Sequence, residues 1–190
     1  MEQPFLMVVE DVFPGNKGWV VREVLATGRI ERGRVSTGDE VELVGFGGGA
    51  LARVAGIELF RQGIDEAEAG MNVALRLPGA LAEELERGQV LATPGSIGAR
   101  AAFIADMAVL PEKEGGAEVL AGQELDFYLR AAAVRGVVTL PHGLDALRPV
   151  HMATVTVRLE RPVALEDGQH FPFRHRGRAA GSGTVTRLLD

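Results

Sequence analysis

Residues 26–45 read Ala-Thr-Gly-Arg-Ile-Glu-Arg-Gly-Arg-Val-Ser-Thr-Gly-Asp-Glu-Val-Glu-Leu-Val-Gly. This stretch predicts the end of one strand, a turn, a short strand, a second turn and then a full strand. Gly28, Gly33 and Gly38 offer the backbone freedom that tight turns require. Val41 and Leu43 alternate with Glu40 and Glu42, which is the period-two pattern of a half-buried strand. Short strands punctuated in this way suit a small barrel better than an open parallel sheet.

Composition sets the outer limits. The chain has 190 residues, enough for one large domain or two small ones. It is 46% hydrophobic and 24% charged, as globular proteins are. Aromatic residues make up only 5%, which predicts cores built mainly from Val, Leu, Ile and Ala. Cysteine is absent, so disulfides, thiolate metal sites and cysteine catalysis are excluded, and a reducing, cytoplasmic setting is expected. No apolar run reaches membrane-spanning length, so no membrane partner is expected. The formal net charge of −6 disfavours indiscriminate binding of nucleic acid, DNA included, while leaving room for a local basic patch.

Read in order, Phe5–Val9 predicts a buried strand that ends at Glu10 and Asp11. Residues 14–18 form a Gly/Pro loop, and Trp19–Ala26 leads into the opening stretch. Leu51–Phe60, Met71–Leu77 and Gln89–Thr93 are further strands, and Ala80–Leu85 is a short helical turn at most. Pro94–Gly98 is the best boundary. Beyond it, strands are expected at Ala101–Leu110, Leu125–Val134, Val137–Leu140, Ala153–Leu159 and Thr184–Leu189, with Pro141, Pro149 and Pro162 at strand ends. The fold class is therefore all-β: two tandem antiparallel β-barrels, residues 1–95 and 100–190.

Several motifs together carry a resemblance. Pro4-Phe5-Leu6-Met7, Val9-Glu10-Asp11-Val12-Phe13, Thr27–Gly33, Thr37–Val41, Gly56-Ile57-Glu58-Leu59-Phe60-Arg61, Ala69–Val73 and Glu86–Ala92 are similar to domain two of elongation factor Tu. Glu114–Gly116, Phe127–Arg130, Gly136–Pro141 and Gly183–Thr186 resemble domain three. The resemblance implies two barrels and a lineage that delivers aminoacyl-tRNA. Departures accompany it. No G-x-x-x-x-G-K-[ST] occurs, so the family's GTPase domain is expected to be missing. Where the family carries Arg-His-Thr against the tRNA T stem, this chain has Ala117-Glu118-Val119. Gly122-Gln123-Glu124-Leu125-Asp126 likewise replaces a basic and aromatic stretch, which weakens phosphate contact. The Pro14–Leu25 loop is longer than the family's and carries Trp19.

The resemblance also implies site residues. The pocket for the aminoacylated adenosine falls on Glu10, Asp11, Phe13, Thr27, Glu58 and Asn72. A carboxylate such as Glu58 accepts a ribose hydroxyl, and Asn72 offers a paired donor and acceptor to an α-amino group and its ester. The structural alternative is that Glu10 and Asp11 cap a turn and Glu58 is a solvated strand residue. Arg61 and Arg87 match positions at the acceptor end, Arg87 facing the 5′ phosphate. The alternative for both is a surface arginine paired with Glu58, Glu84 or Glu86. Arg174-His175-Arg176-Gly177-Arg178 is the densest basic run and reads either as a phosphate site or as a solvated hairpin. His142, His151, His170 and His175 show no metal spacing, and no catalytic constellation or cofactor motif is visible. The expected function is a module without a GTPase domain that binds the aminoacylated 3′ end of tRNA weakly. The alternative is a protein-interaction module whose barrel surface binds a separate GTPase or a nucleotide exchange factor.

Overall fold

The computed structural model describes residues 1–15 and 23–190, so Trp19 and most of the long loop lie outside the described residues. The chain divides into two units, Met1–Gly98 and Ala99–Asp190. The first unit contains β1 (Leu6–Val8), β2 (Asp11–Pro14), β3 (Glu23–Arg32), β4 (Arg34–Ser36), β5 (Glu40–Val44) and β6 (Leu51–Arg53). It continues with β7 (Gly56–Leu59), β8 (Gln62–Ile64), β9 (Glu66–Glu68), β10 (Asn72–Pro78) and β11 (Val90–Ala92). Apart from the β4–β9 pair, these strands form one sheet in the order β6-β5-β11-β1-β3-β10-β7-β8, with β2 added on β3. All the pairings are antiparallel, and the sheet curls into a half-barrel.

Strand β3 holds this unit together because three neighbours pair with it: β1, β2 and β10. Its residues alternate strictly. Val24, Ala26, Gly28 and Ile30 are buried, while Glu23, Leu25 and Thr27 are half-exposed and Arg29 is exposed. The inward set joins Phe5, Met7, Val41, Leu43, Ile57, Leu75 and Leu77 in one apolar core. Gly33 is a turn residue as expected, with φ of 74°. Gly28 is not. It lies inside β3, where a Cβ would stand 1.7 Å from the Val8 carbonyl oxygen. Glycine is used there for close approach of two backbones rather than for a turn.

The second unit contains β12 (Gly98–Val109), β13 (Val119–Leu120), β14 (Glu124–Leu129), β15 (Ala132–Thr139), β16 (Ala146–Leu147), β17 (Met152–Leu165), β18 (His170–His175) and β19 (Arg178–Leu189). Six of them close a barrel in the order β12-β17-β15-β14-β18-β19. Its core is mostly Val, Leu and Ala, as the composition predicts, with a cluster of four phenylalanines at its centre. Phe103, Phe127 and Phe171 meet edge to face at centroid distances of 5.6–6.4 Å, and Phe173 adjoins Phe127 at 6.3 Å. Gly181 and Gly183 leave the room: a Cβ on either would lie 2.5–2.6 Å from the rings of Phe173 and Phe171. Four of the eight phenylalanines are thus concentrated in one barrel.

Several boundaries differ from the sequence expectation. Leu51–Phe60 is two strands, because β6 pairs with β5 and β7 with β10. Leu125–Val134 is a hairpin, turned at Arg130 with φ of 56°. Its guanidinium donates to Gln169 Oε1 at 2.9 Å and to Glu166 Oε1 at 2.7 Å, so a long polar side chain fixes that turn. Pro162 lies within β17 rather than at an end, and β2 and β18 were not foreseen. The basic run from Arg174 spans the β18–β19 hairpin, with Arg176 at φ of 51° in its turn.

Gly28→Ala is expected to destabilise the first unit by about 3 kcal/mol or more, since neither backbone can yield without breaking the β1–β3 pairing. The urea midpoint of that unit should fall while the second unit's transition stays in place.

Candidate functional site

The register of the first sheet assembles a row of outward side chains. Asp11 on β2 lies opposite Thr27 on β3. Thr27 lies opposite Ala74 on β10, and Ala74 opposite Glu58 on β7. Directly opposed residues project to the same face. Inward neighbours such as Ala26, Val73 and Ile57 are buried, so this row faces solvent. At roughly 4.8 Å per strand, Asp11 and Glu58 stand about 14 Å apart across the row. Ala74 is the smallest side chain of the row, which carries an acidic group at each end.

Two further rows flank it. One residue pair along, Asn72 lies opposite Arg29. On the other side, Phe13 lies opposite Leu25, Leu25 opposite Arg76, and Arg76 opposite Gly56. Phe13 is 49% exposed. The Nε–Nη2 edge of Arg76 occupies the space that a Cβ on residue 56 would fill, at 2.1–2.5 Å from it. Arg76 Nε is buried without a hydrogen-bond partner among the described residues, and Nη1 lies 3.9 Å from Glu23 Oε2. The edge is held by shape rather than by an acceptor.

Asp11, Phe13, Thr27, Glu58 and Asn72 therefore share one face. Glu10 borders it: its N–H donates to the Thr27 carbonyl at 2.8 Å, and its own carbonyl accepts from Arg87 Nη1 at 3.0 Å. The Thr27 hydroxyl lies 3.4 Å from the Asp11 carbonyl oxygen. Arg87 thus stands on the Glu10 side, bonded to a backbone carbonyl. Arg61 stands on the far side, in the β7–β8 turn, with no hydrogen-bond or ion-pair partner among the described residues. Ala74, Arg29, Arg76 and Gly56 were missed in the sequence. The period-two set 72, 74, 76 along β10 was the available signal, but only the register shows which strands it faces.

Residues 23–92 match the family described as Elongation factor Tu domain 2, and residues 96–189 match the Elongation factor Tu C-terminal domain. The chain belongs to the elongation factor Tu family. Thr27, Glu58, Arg61, Asn72 and Arg87 fall within the domain 2 match, whereas Glu10, Asp11 and Phe13 precede it. The β3, β7 and β10 part of the face lies within the domain 2 match.

Two concavities lie away from this face. The cleft beside Phe5, Asp39 and Thr93 contains Arg34. Its guanidinium binds Glu66, Glu2 (3.1 Å) and Glu68 (3.4 Å), and the hydrogen bond and charge of Glu66, followed by the charge of Glu2, hold its pKa above the usual value. That cluster ties the N-terminal segment to β4 and β9 and is structural. In the second unit, a groove of about 720 Å³ runs past Asp106, Ala108, Met152, His170 and Ser182. Among the described residues no group of three or more His, Asp or Glu side chains is placed to hold a metal, and no helix is long and apolar enough to cross a membrane.

Gly56→Ala is expected to cost less than about 1 kcal/mol, because the obstructing group is the free end of a long side chain that can swing aside. Combining it with Arg76→Ala should remove even that cost, as a double-mutant cycle in urea would show.

Proposed function

We infer that this chain is a binding module which holds the aminoacylated 3′ end of tRNA weakly, through the outward face of β2, β3, β10 and β7. One observation carries the reading: Asp11, Thr27, Ala74 and Glu58 form a single cross-strand row, with Asn72 one pair along. Such a row suits a ligand with a nucleoside at one end and a primary amine at the other. Glu58 would accept a ribose hydroxyl, which distinguishes RNA from DNA. An α-ammonium group would lie near carboxylates, with Asn72 to bond the ester. The α-ammonium group that only the charged form carries is favoured by the acids at the ends of the row, which accounts for a preference for charged over uncharged tRNA. Arg87 and Arg61 stand outside the row, where a backbone phosphate would pass.

The expected weakness has two sources. The family's site is composite, and no phosphate-loop motif occurs in these residues to contribute the GTPase part. The second unit carries Glu118 and Glu124 on stretches that are basic or aromatic in the family. The chain is accordingly proposed to act without catalysing a reaction, and titration with GTP or GDP should give no saturable heat.

Gel shifts and calorimetry with charged and uncharged tRNA test the main reading. The charged form should bind more tightly, and Glu58→Ala should weaken it by about 1–2 kcal/mol through loss of one hydrogen bond. Equal binding of the two forms, indifferent to Glu58→Ala, would reject the pocket.

A second reading, a protein-interaction module, draws on the other unit. Val150 and Met152 are 75% and 70% exposed, and Met152 lines the 720 Å³ groove. Val150 holds a φ of 67°, which is rare for a β-branched residue. Beside the groove, Thr154 Oγ1 donates to Asp106 Oδ1 at 2.7 Å, and His170 Nδ1 lies 2.8 Å from Thr184 Oγ1. A separate GTPase or exchange factor seated there should lose affinity on Met152→Asp, whereas tRNA binding should not change.

A further inference from the structure

In the second unit, β14 and β15 form a hairpin in which Leu129 pairs directly with Ala132. Phe127, Leu129, Val134 and Val138 are buried in the barrel core. The residues between them face outward, because side chains alternate along a strand. Three outward pairs result: Glu124 opposite Val137, Asp126 opposite Arg135, and Tyr128 opposite Ala133. Both strands lie inside a closed barrel, β14 between β15 and β18, and β15 between β14 and β17. Neither offers a free backbone edge, so a partner can meet this hairpin only through its side chains.

Each pair joins unlike groups. Tyr128 is large and half-buried, and Ala133 beside it is small and exposed. The Arg174 guanidinium lies over the Tyr128 ring, 5.2 Å from its centroid, and holds it in place. Arg135 Nε lies 3.5 Å from Asp126 Oδ1, and its Nη1 4.0 Å from Glu124 Oε2. With the Arg135 side chain 55% exposed, such pairs contribute little on their own. The charged row continues on both sides. Arg174 on β18 lies opposite Asp126, and on β17 Glu160 follows Leu159, the partner of Gly136. Both Arg174 and Glu160 are exposed. Across four strands the row reads Arg174, Asp126, Arg135, Glu160, and its sign alternates.

We propose that this face joins two copies of the chain into a symmetric dimer. A two-fold axis along the strands, midway between β14 and β15, sets each β14 residue over the β15 residue at the same level of the other copy. Tyr128 then sits over Ala133, Asp126 over Arg135 and, at the rim, Arg174 over Glu160. Each contact is made twice, as a two-fold axis requires. Tyrosine over alanine supplies the apolar contact, and the square of two arginines and two aspartates sets the register. The same alternation of sign leaves no run of positive charge for a phosphate backbone. None of these residues belongs to the outward face of the first unit, so the dimer and the proposed tRNA-end site stand or fall separately.

At about 3.4 Å per residue and about 4.8 Å between strands, the face measures about 20 by 15 Å. Stable dimers bury about 800 Å² per copy, so this contact is weak and forms at micromolar concentration or above. Sedimentation of the full chain from micromolar to millimolar concentration tests it. Tyr128 is the only tyrosine, so its ring signals in NMR report this face alone and should move as the dimer fills. Asp126→Arg and Arg135→Asp each set like charges against one another twice, and each should weaken self-association about 100-fold or more. Mixing the two variants sets arginines against aspartates again and should restore a dimer, now of one copy of each. Asp126→Arg with Arg135→Asp in one chain should dimerise as the native chain does. Tyr128→Ala should weaken the dimer about tenfold or more. Melting curves in dilute solution check that each variant is folded.

The dimer falls if the native chain stays monomeric to millimolar concentration, or if the two folded variants do not associate when mixed. Assemblies that keep growing with concentration would show a head-to-tail contact and overturn the two-fold arrangement. A dimer indifferent to Asp126→Arg, with the Tyr128 signals unmoved, would place the interface elsewhere, for instance at the groove beside Met152, and overturn the proposal. Loss of tRNA or of a different protein on Asp126→Arg, with no self-association of the native chain, would assign the face to that partner and overturn it too.

Discussion

Everything in the first unit depends on the approach of β1 to the middle of β3. A single missing side chain, at Gly28, lets the Val8 carbonyl occupy the space where a Cβ would be. That closeness fixes β1 between β3 and β11. It also fixes β2, which continues from β1 and uses the other half of the same β3 edge. Because β3 is held in register, its outward residues Thr27, Leu25 and Arg29 are fixed against β10 on one side and β2 on the other. The functional face is a product of backbone packing beneath it.

The face itself is economical in its polar groups. The described hydrogen bonds at its edge mostly involve the backbone: Glu10 to Thr27, Arg87 to the Glu10 carbonyl, and the Thr27 hydroxyl near the Asp11 carbonyl. No ion pair engages Asp11 or Glu58 among the described residues. Their carboxylates remain available to a ligand, and no internal pair must be broken to admit one. Arg76 contrasts with this. Its edge is buried over Gly56, so it acts as a wall more than as a binding group.

What was readable in the sequence follows from how local each signal is. The Val41/Leu43 alternation and the Asn72–Pro78 pattern are local, and both strands appear where expected. Gly33 turns the chain as read, since a positive φ is a demand made by one residue on itself. Gly28 was misread because close approach depends on a partner twenty residues away. β2 escaped notice because four residues with only Val12 turned inward give no alternation to detect. The phenylalanine cluster of the second unit was hidden by averaging, since a low overall content does not say how rings are shared between domains. The pocket residues came from resemblance. Ala74, Arg29 and Arg76, which complete the face, needed the register, and register is not written in any one segment.

The placement of β1 also has a consequence for synthesis on the ribosome. Its neighbours are β3, which follows shortly after it, and β11, which begins at Val90. The Phe5 amide likewise donates to the hydroxyl of Thr93, 88 positions later. Until those last residues emerge, β1 has an open edge and the half-barrel lacks the strand that joins β5 to it. Pairings at such separation are slow to form because the intervening chain must be ordered first. The first unit consequently completes its fold only after the segment leading into the second has been made, and the β1 edge is the part most in need of shelter during that interval.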